Sequence, residues 1–240
     1  MTNLIAAYIV RDEPDYLFEL SVKSVVGLFD GIVFVIDQPS EQNWKIIDSV
    51  PSQKRIVLHN KYWKDSKGAD GRQRNVYLNY LKKSFVNSWC LVIDTDEVLS
   101  DNGYFLRELL WQDQVNVFSV HMEHFFWNLG IADATLPQHF VPARFFKITP
   151  QLSYDEVEHP ILKGYEGGVA LLDQVTLFHY GPTRGLQDEI KKYRTQTVKS
   201  NIHTPEQLGQ WHDFHIMGRL PIKEFKFEQH PLVVQEYFKK

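Results

Sequence analysis

Apolar runs set the rhythm of the first hundred residues. Leu4–Val10 is a short apolar stretch without a charge, which predicts a strand buried on both faces. Asp12-Glu13-Pro14 then supplies helix-start chemistry, since proline is tolerated in a first turn. Leu17, Leu20, Ser21, Ser24, Val25 and Leu28 follow at roughly helical spacing. Gly31–Ile36 reads as a second buried strand closed by Asp37, residues 44–49 as a short helix, and Arg55–His59 as a third strand. The polar stretch 60–71 predicts a loop. Residues 73–85 are helical in pattern, with Val76, Leu78, Leu81 and Phe85 near one face. Residues 90–93 form a fourth strand that runs into Asp94-Thr95-Asp96-Glu97. This alternation predicts right-handed βαβ units around a mainly parallel sheet.

Beyond residue 100 the pattern is more mixed. Strands are expected at 115–122, 144–148 and 175–180, and helices at 186–198, 205–217 and 231–240. There is no repeat, low-complexity tract or obvious linker. The expected organisation is an α/β domain over residues 1–200, with a helical C-terminal extension, 201–240, packed on it.

Composition narrows the classes. Thirty acidic residues against 26 basic ones give a net charge of −4, which argues against a general nucleic-acid binder but leaves room for a local phosphate pocket. Aromatic residues make up 14% of the 240-residue chain, too many for intrinsic disorder. The single cysteine, Cys90, excludes an internal disulfide framework and a Cys-rich zinc site, and suits a reducing compartment. The amino terminus reads as a strand rather than a signal peptide, and no apolar run approaches the ~20 residues that span a bilayer. A cytoplasmic protein is expected, with peripheral membrane contact left open.

The sharpest chemical signal is the end of the fourth strand. An apolar run demands burial, and three carboxylates then arrive within four residues where the strand leaves the sheet. Ligands of open α/β sheets bind at this edge. Clustered carboxylates repel one another unless a cation or donor sits among them, and hard oxygen ligands favour Mg²⁺ or Mn²⁺. The bland alternative is that Asp94 and Asp96 merely cap a turn. Asp37, at the end of the second strand, could accept hydrogen bonds from a base or ribose, or simply precede the turn at Pro39.

The stretch Gly71-Arg72-Gln73-Arg74-Asn75, then a helix, then WCLVIDTDE, resembles the heart of the family 2-like glycosyltransferases. Other pieces fall in matching order: AAYIVRDEPDYL, GIVFVID, ARFFKI followed by VEHPIL, VTLFHYGPTR, and FEQHPLVV. The resemblance covers nearly the whole chain. It implies the GT-A fold, a Rossmann-like nucleotide-diphospho-sugar transferase architecture, with Asp94-Thr95-Asp96 as its DxD motif. It also implies Mn²⁺ or Mg²⁺ as cofactor, a UDP- or dTDP-sugar donor, a glycan or glycolipid acceptor, and transfer with inversion. Departures are Asp12-Glu13 in place of Asn-Glu, Gln38-Pro39-Ser40-Glu41 in place of Gly-Ser-x-Asp, and Pro160 after His159 in place of Glu.

By the same resemblance, Asp12 and Arg74 face the nucleotide, Asp94 meets ribose and metal, Asp96 is the stronger metal ligand, and His179 completes the metal shell. Arg184 could reach the diphosphate. The base that takes the acceptor's proton is sought between two strands, with Glu158 ranked above Glu156 because it adjoins His159, and Glu123 as a further candidate. His121 and His124 are expected on opposite faces of a strand, a poor metal pair. His212 and His215 are one helical turn apart but lack the H-E-x-x-H pattern. Phe125, Phe126 and Trp127 are expected in core packing rather than as a sugar platform, Arg72 as a solvated residue, and Lys192 and Arg194 as a solvated face. The competing classes are a nucleotidyltransferase, which would usually carry a Gly-rich loop after the first strand, and a non-catalytic nucleotide- or sugar-binding module.

Overall fold

The computed structural model describes residues 2–11, 15–60, 69–126, 128–134, 142–157, 160–184 and 222–239. The first four strands are β1 (Leu4–Val10), β2 (Gly31–Ile36), β3 (Arg55–His59) and β4 (Trp89–Val92). They pair in parallel in the order β3-β2-β1-β4. α1 (Asp15–Val26), α2 (Glu41–Ser49) and α3 (Ala69–Ser84) connect them. α2 starts where Ser40 accepts from the Asn43 N–H while the Asn43 side chain accepts from the Ser40 N–H.

Residues on alternate sides of each strand enter different layers. Tyr8, Phe34, Ile36 and Leu91 pack with Phe18 and Val22 of α1 and Ile46 and Ile47 of α2. Ile9, Val33, Val35, Cys90 and Val92 pack with Tyr77, Leu78 and Leu81 of α3. Burial on both faces is why the β1 and β2 sequences are apolar throughout rather than alternating.

The sheet continues with β5 (Glu97–Leu99), β6 (Val117–His124), β8 (Ala143–Lys147) and β11 (Ala170–His179), after the short β7 (Ile131–Asp133), β9 (Ser153–Tyr154) and β10 (Leu162–Lys163). The full order is β3-β2-β1-β4-β8-β6-β11-β5, with β8 and β5 running against the rest. The expected α/β class with a mainly parallel sheet flanked by helices is what the chain adopts. The sequence pattern missed β5, a three-residue strand that begins on the last residue of the acidic turn. β11 begins earlier than expected because its register shifts between Leu172 and Thr176, a bulge that interrupts the apolar period.

The described part of the C-terminal segment is not wholly helical. β12 (Ile222–Glu224) pairs with β7, and a short helix, Leu232–Phe238, follows. That helix lies against α1, where the Tyr16 and Tyr237 rings stack with centroids 6.0 Å apart. Residues 201–221 and the expected helices 186–198 and 205–217 lie outside the described residues.

Candidate active site at the carboxyl edge of the sheet

Parallel strands all end at one edge, and the two reversed strands begin there. The row of residues at that edge follows from strand order. β3 is followed by Asn60, β2 by Asp37, β1 by Arg11 and β4, one residue on, by Asp94. β8 opens with Arg144 in second place, β6 and β11 end in His124 and His179, and β5 opens with Glu97. All eight strands thus bring a polar side chain to the edge where open α/β sheets bind ligands.

The Asp94–Glu97 turn is buttressed from several sides. Arg74 on α3 donates to Asp94 Oδ1 at 2.7 Å, and Arg144 on β8 donates to Asp94 Oδ2 at 3.0 Å. Arg144 also reaches Glu97 Oε1 at 2.7 Å, while Glu97 Oε2 accepts the Asp94 N–H at 2.8 Å. Behind the turn, Ser21 on α1 donates to the Asp94 carbonyl at 3.3 Å and lies 3.1 Å from the Tyr8 hydroxyl. Burial alone would raise the Asp94 pKa, but Arg144 and Arg74 together outweigh it and hold the carboxyl well below the usual range. Glu97 goes the other way: burial, reinforced by Asp94, pushes it up to about 7 against the pull of Arg144. Arg74 and Arg144 stay charged, since neighbouring carboxylates more than offset their desolvation.

Asp96 also pairs with the end of β11. Its Oδ2 lies 3.6 Å from His179 Nε2, and the Asp96 carbonyl accepts the Tyr180 N–H at 2.9 Å. The other nitrogen of His179, Nδ1, is 2.8 Å from Nδ1 of His124. His124 is pulled down to about 3 by burial and by the neighbouring His179, so it stays neutral. When His179 Nδ1 carries the shared proton, its Nε2 lone pair faces Asp96, the form a cation requires. Gly181 keeps this place open: a Cβ there would sit 2.5 Å from Asp96 Oδ2 and 2.8 Å from His179 Nε2.

A carboxylate oxygen beside an imidazole nitrogen is a donor pair that suits a hard divalent cation keeping open positions for phosphate and water. Among the described residues no three His, Cys, Asp or Glu side chains form a closed metal cage. Asp94, expected as a ligand of ribose and metal, has one oxygen on each of two arginines and is not drawn into the Asp96–His179 pair.

Each residue of Gly71-Arg72-Gln73-Arg74-Asn75 has its own contact. A Cβ on Gly71 would lie 1.9 Å from the Asp155 carbonyl oxygen, so only glycine lets α3 approach the 153–157 segment. Asn75 clasps that segment twice, donating to the Tyr154 carbonyl and accepting its N–H, both at 2.8 Å. Arg72, expected to be merely solvated, pairs with Glu156 at 3.5 Å. Gln73 accepts from Asn60 at 2.9 Å, and Arg74 holds Asp94.

The remaining expectations divide as follows. Asp37 is 4% exposed at the end of β2, and its backbone N–H extends the ladder to Val10. Glu156 is exposed beside α3. Glu123 is tied to Lys223 of β12 at 2.8 Å, which removes it from the edge row. Phe125 is fully buried and stacks on Tyr180, and Phe126 is 4% exposed, so both pack as expected. Arg184 closes a turn after β11. Asp12, Trp127, Glu158, His159, Lys192, Arg194, His212 and His215 lie outside the described residues. Sequence reasoning missed Arg144 and Glu97 as a pair and treated His124 as inert; a charged or polar residue ending an apolar strand was the available signal for each.

No protein-family model matches the sequence, and no curated protein is similar to it. Solved structures that match the chain include three of low similarity. HddC from Yersinia pseudotuberculosis is 11% identical, with 80% of this chain and 98% of that one covered and a TM-score of 0.43. A putative glucose-1-phosphate thymidylyltransferase from Bacillus anthracis, in complex with a sucrose, is 8% identical, with 90% and 84% covered and a TM-score of 0.39. A mycobacterial protein is 13% identical with a TM-score of 0.33; the match takes in 51% of this chain and 42% of that protein. Likenesses this distant do not decide a reaction, so function has to be read from this chain's own residues. No helix among the described residues is long and apolar enough to cross a membrane.

Proposed function

We propose that the chain is a metal-dependent glycosyltransferase with a GT-A-like fold, close in kind to the family 2-like enzymes, acting on a UDP- or dTDP-sugar and a glycan or glycolipid hydroxyl with inversion. The observation that carries this reading is the Asp96–His179 pair, kept open by Gly181, next to an arginine-held Asp94 at the carboxyl edge of the sheet. Sugar transfer needs the nucleoside held, the leaving diphosphate neutralised, and the acceptor hydroxyl deprotonated. Asp37, Arg74 and Asp12 are assigned to the nucleotide. Asp96 Oδ2 and His179 Nε2 would hold Mn²⁺ or Mg²⁺, and His124 keeps His179 in the binding tautomer. The cation, when bound, supplies charge stabilisation to the diphosphate leaving group. Arg184 follows directly on the His179 strand and is assigned to the same diphosphate. Glu158, or Glu156 beside it, is assigned the acceptor's proton. The chain is placed in the cytoplasm, with its acceptor in solution or at a membrane surface.

The test is release of UDP or dTDP from a panel of nucleotide sugars with Mn²⁺ and glycan acceptors, beside a thermal-shift panel of nucleotides. Diphosphates should raise the melting temperature only when Mn²⁺ is present, by mass action. Stabilisation by nucleoside triphosphates alone would point instead to nucleotidyl transfer, and no response to any nucleotide would remove the proposal.

A further inference from the structure

The paired ends of β6 and β11 form a ledge with two different faces. His124 lies opposite His179 in the register, and Glu123 opposite Phe178. Strand alternation therefore puts the two histidines on one face and Glu123, Phe125, Phe178 and Tyr180 on the other. The Phe125 N–H bonds the His179 carbonyl at 3.1 Å, so the pairing persists past the last ladder residue. The histidine face carries the His124–His179 pair and its contact with Asp96. The opposite face is packed against the C-terminal segment that starts at β12, with Phe125, Phe178 and Tyr180 in one cluster with Phe225 and Val234.

That segment grips the ledge beside each histidine. Next to His124, Lys223 Nζ lies 2.8 Å from both carboxylate oxygens of Glu123. The Phe225 ring meets Phe125 edge-on, with centroids 5.0 Å apart. Next to His179, the Tyr180 hydroxyl lies 2.7 Å from His230 Nδ1. A backbone carbonyl only accepts, so His230 Nε2 carries the hydrogen that bonds Leu129, and in the neutral ring Nδ1 is left to accept from Tyr180. His230 and Tyr180 are 2% and 1% exposed, so this bond is shielded from solvent. The Tyr180 N–H bonds the Asp96 carbonyl at 2.9 Å, and its own carbonyl accepts from the Thr183 N–H and hydroxyl. Tyr180 thus joins His179 through the chain and Asp96 through a hydrogen bond, while its side chain ends on His230. The tail motif Phe227-Glu228-Gln229-His230-Pro231 has no part in the sugar transfer itself.

We propose that His230 is a positioning residue for the Asp96–His179 pair, acting through Tyr180 from the opposite face of the sheet. This rests on the metal reading of that pair and adds the element that fixes its spacing. Cutting the Tyr180–His230 bond from either side frees the Tyr180 ring to settle elsewhere against Phe125. Cutting it at His230 also leaves a buried hydroxyl unmatched, which drives the shift. Movement of Tyr180 reaches His179 through a peptide bond and Asp96 through a hydrogen bond, so the two are displaced unequally and their spacing changes. A ligand set has to be held to about 0.5 Å. Losing a partner outside the ligand set weakens metal binding by about 10–100-fold.

The experiment is Mn²⁺ titration of the full chain with UDP and, in parallel, dTDP, read as the free-Mn²⁺ signal in electron paramagnetic resonance, well below each variant's melting temperature. It compares the wild type with Tyr180→Phe, His230→Leu and His230→Asn. Tyr180→Phe keeps the stacked ring and removes the hydroxyl alone, so it carries the test if His230→Leu does not fold. His230→Asn restores an acceptor, since its Oδ1 is attached to Cγ as Nδ1 is. Tyr180→Phe should weaken Mn²⁺ binding about tenfold and His230→Leu by more, toward a hundredfold. His230→Asn should stay within about threefold of the wild type. A role in stability alone would lower the melting temperature of the variants and leave the Mn²⁺ affinity of the folded chain unchanged. That result overturns the positioning role while the metal reading stands. His230→Asn weakened as far as His230→Leu overturns the assignment to the Nδ1 acceptor. A wild type that takes up no Mn²⁺ with either diphosphate overturns both readings.

Discussion

Two buried polar regions, linked through Tyr180, are built on opposite principles. Around Asp94, burial is compensated by charge: two guanidinium groups and two carboxylates interlock, and each ion depends on the others. Around His230, burial is compensated by neutral hydrogen bonds. Its Nδ1 lies 2.7 Å from the Tyr180 hydroxyl and its Nε2 2.9 Å from the Leu129 carbonyl. Phe125 and Phe225 close over the ring, with centroids 4.8 and 4.9 Å away. The second arrangement locks the C-terminal segment to the end of β11 and has no polar atom to spare. The first sits at the carboxyl edge of the sheet, where open α/β sheets bind ligands. A buried ion network is a weak stabiliser compared with an apolar core, so its retention here fits function better than stability.

That contrast is broken most severely at Arg144. Arg144→Ala should leave Asp94 and Glu97 buried without their shared partner and cost about 3–5 kcal/mol in denaturant unfolding. A loss below about 1 kcal/mol would mean the network is solvated and the contrast is false.

His230→Ala should cost less, about 2–4 kcal/mol, through the cavity and the unmatched Tyr180 hydroxyl. The same residue sharpens the comparison through pH. Burial holds the His230 pKa below its ordinary 6.5. Its neutral form is therefore the stable one, and its contribution is intact above pH 6.5. It is lost as pH falls through the lower folded value, because the unfolded chain then binds the extra proton. His230→Gln, neutral at every pH, should flatten the fall in stability below pH 6.5. The fall should not vanish, since His124 is also buried neutral. An unchanged slope would show that His230 is solvated.

The smallest effect lies outside both regions, on α3. Asn75→Ala removes the two bonds that clasp Tyr154 and should cost about 1–2 kcal/mol. Nucleotide affinity should stay within about threefold if the clasp positions only the 153–157 segment; a tenfold loss would make it part of the nucleotide site.

Much of this was legible in the sequence where burial is two-sided. β1 and β2 match their apolar runs residue for residue, as does the half-buried β3. α3 begins before the expected Gln73 because Gly71 reads as a breaker in sequence, while in the fold it admits the Asp155 carbonyl. Asp94, Asp96 and Arg74 could be singled out because they sit next to strong local patterns. Arg144 and Glu97 could not be paired, being 47 residues apart and joined only when β8 docks against β4. His124 and His179 are 55 residues apart and meet only through the β6–β11 register, so the tautomer relay has no signature in either local sequence.

The acidic turn looked uniformly negative and in need of a cation. In the fold, Asp94 and Glu97 are answered by arginine, and on the proposed reading the cation falls to Asp96 and His179. The most direct measurement is therefore calorimetric titration of UDP or dTDP into the wild type and Asp96→Ala, with and without Mn²⁺. The wild type should gain about a hundredfold or more in affinity on adding Mn²⁺, worth roughly 3 kcal/mol, whereas Asp96→Ala should gain none and keep the wild-type melting temperature. A variant that keeps the full Mn²⁺-dependent gain would contradict the metal assignment at this edge.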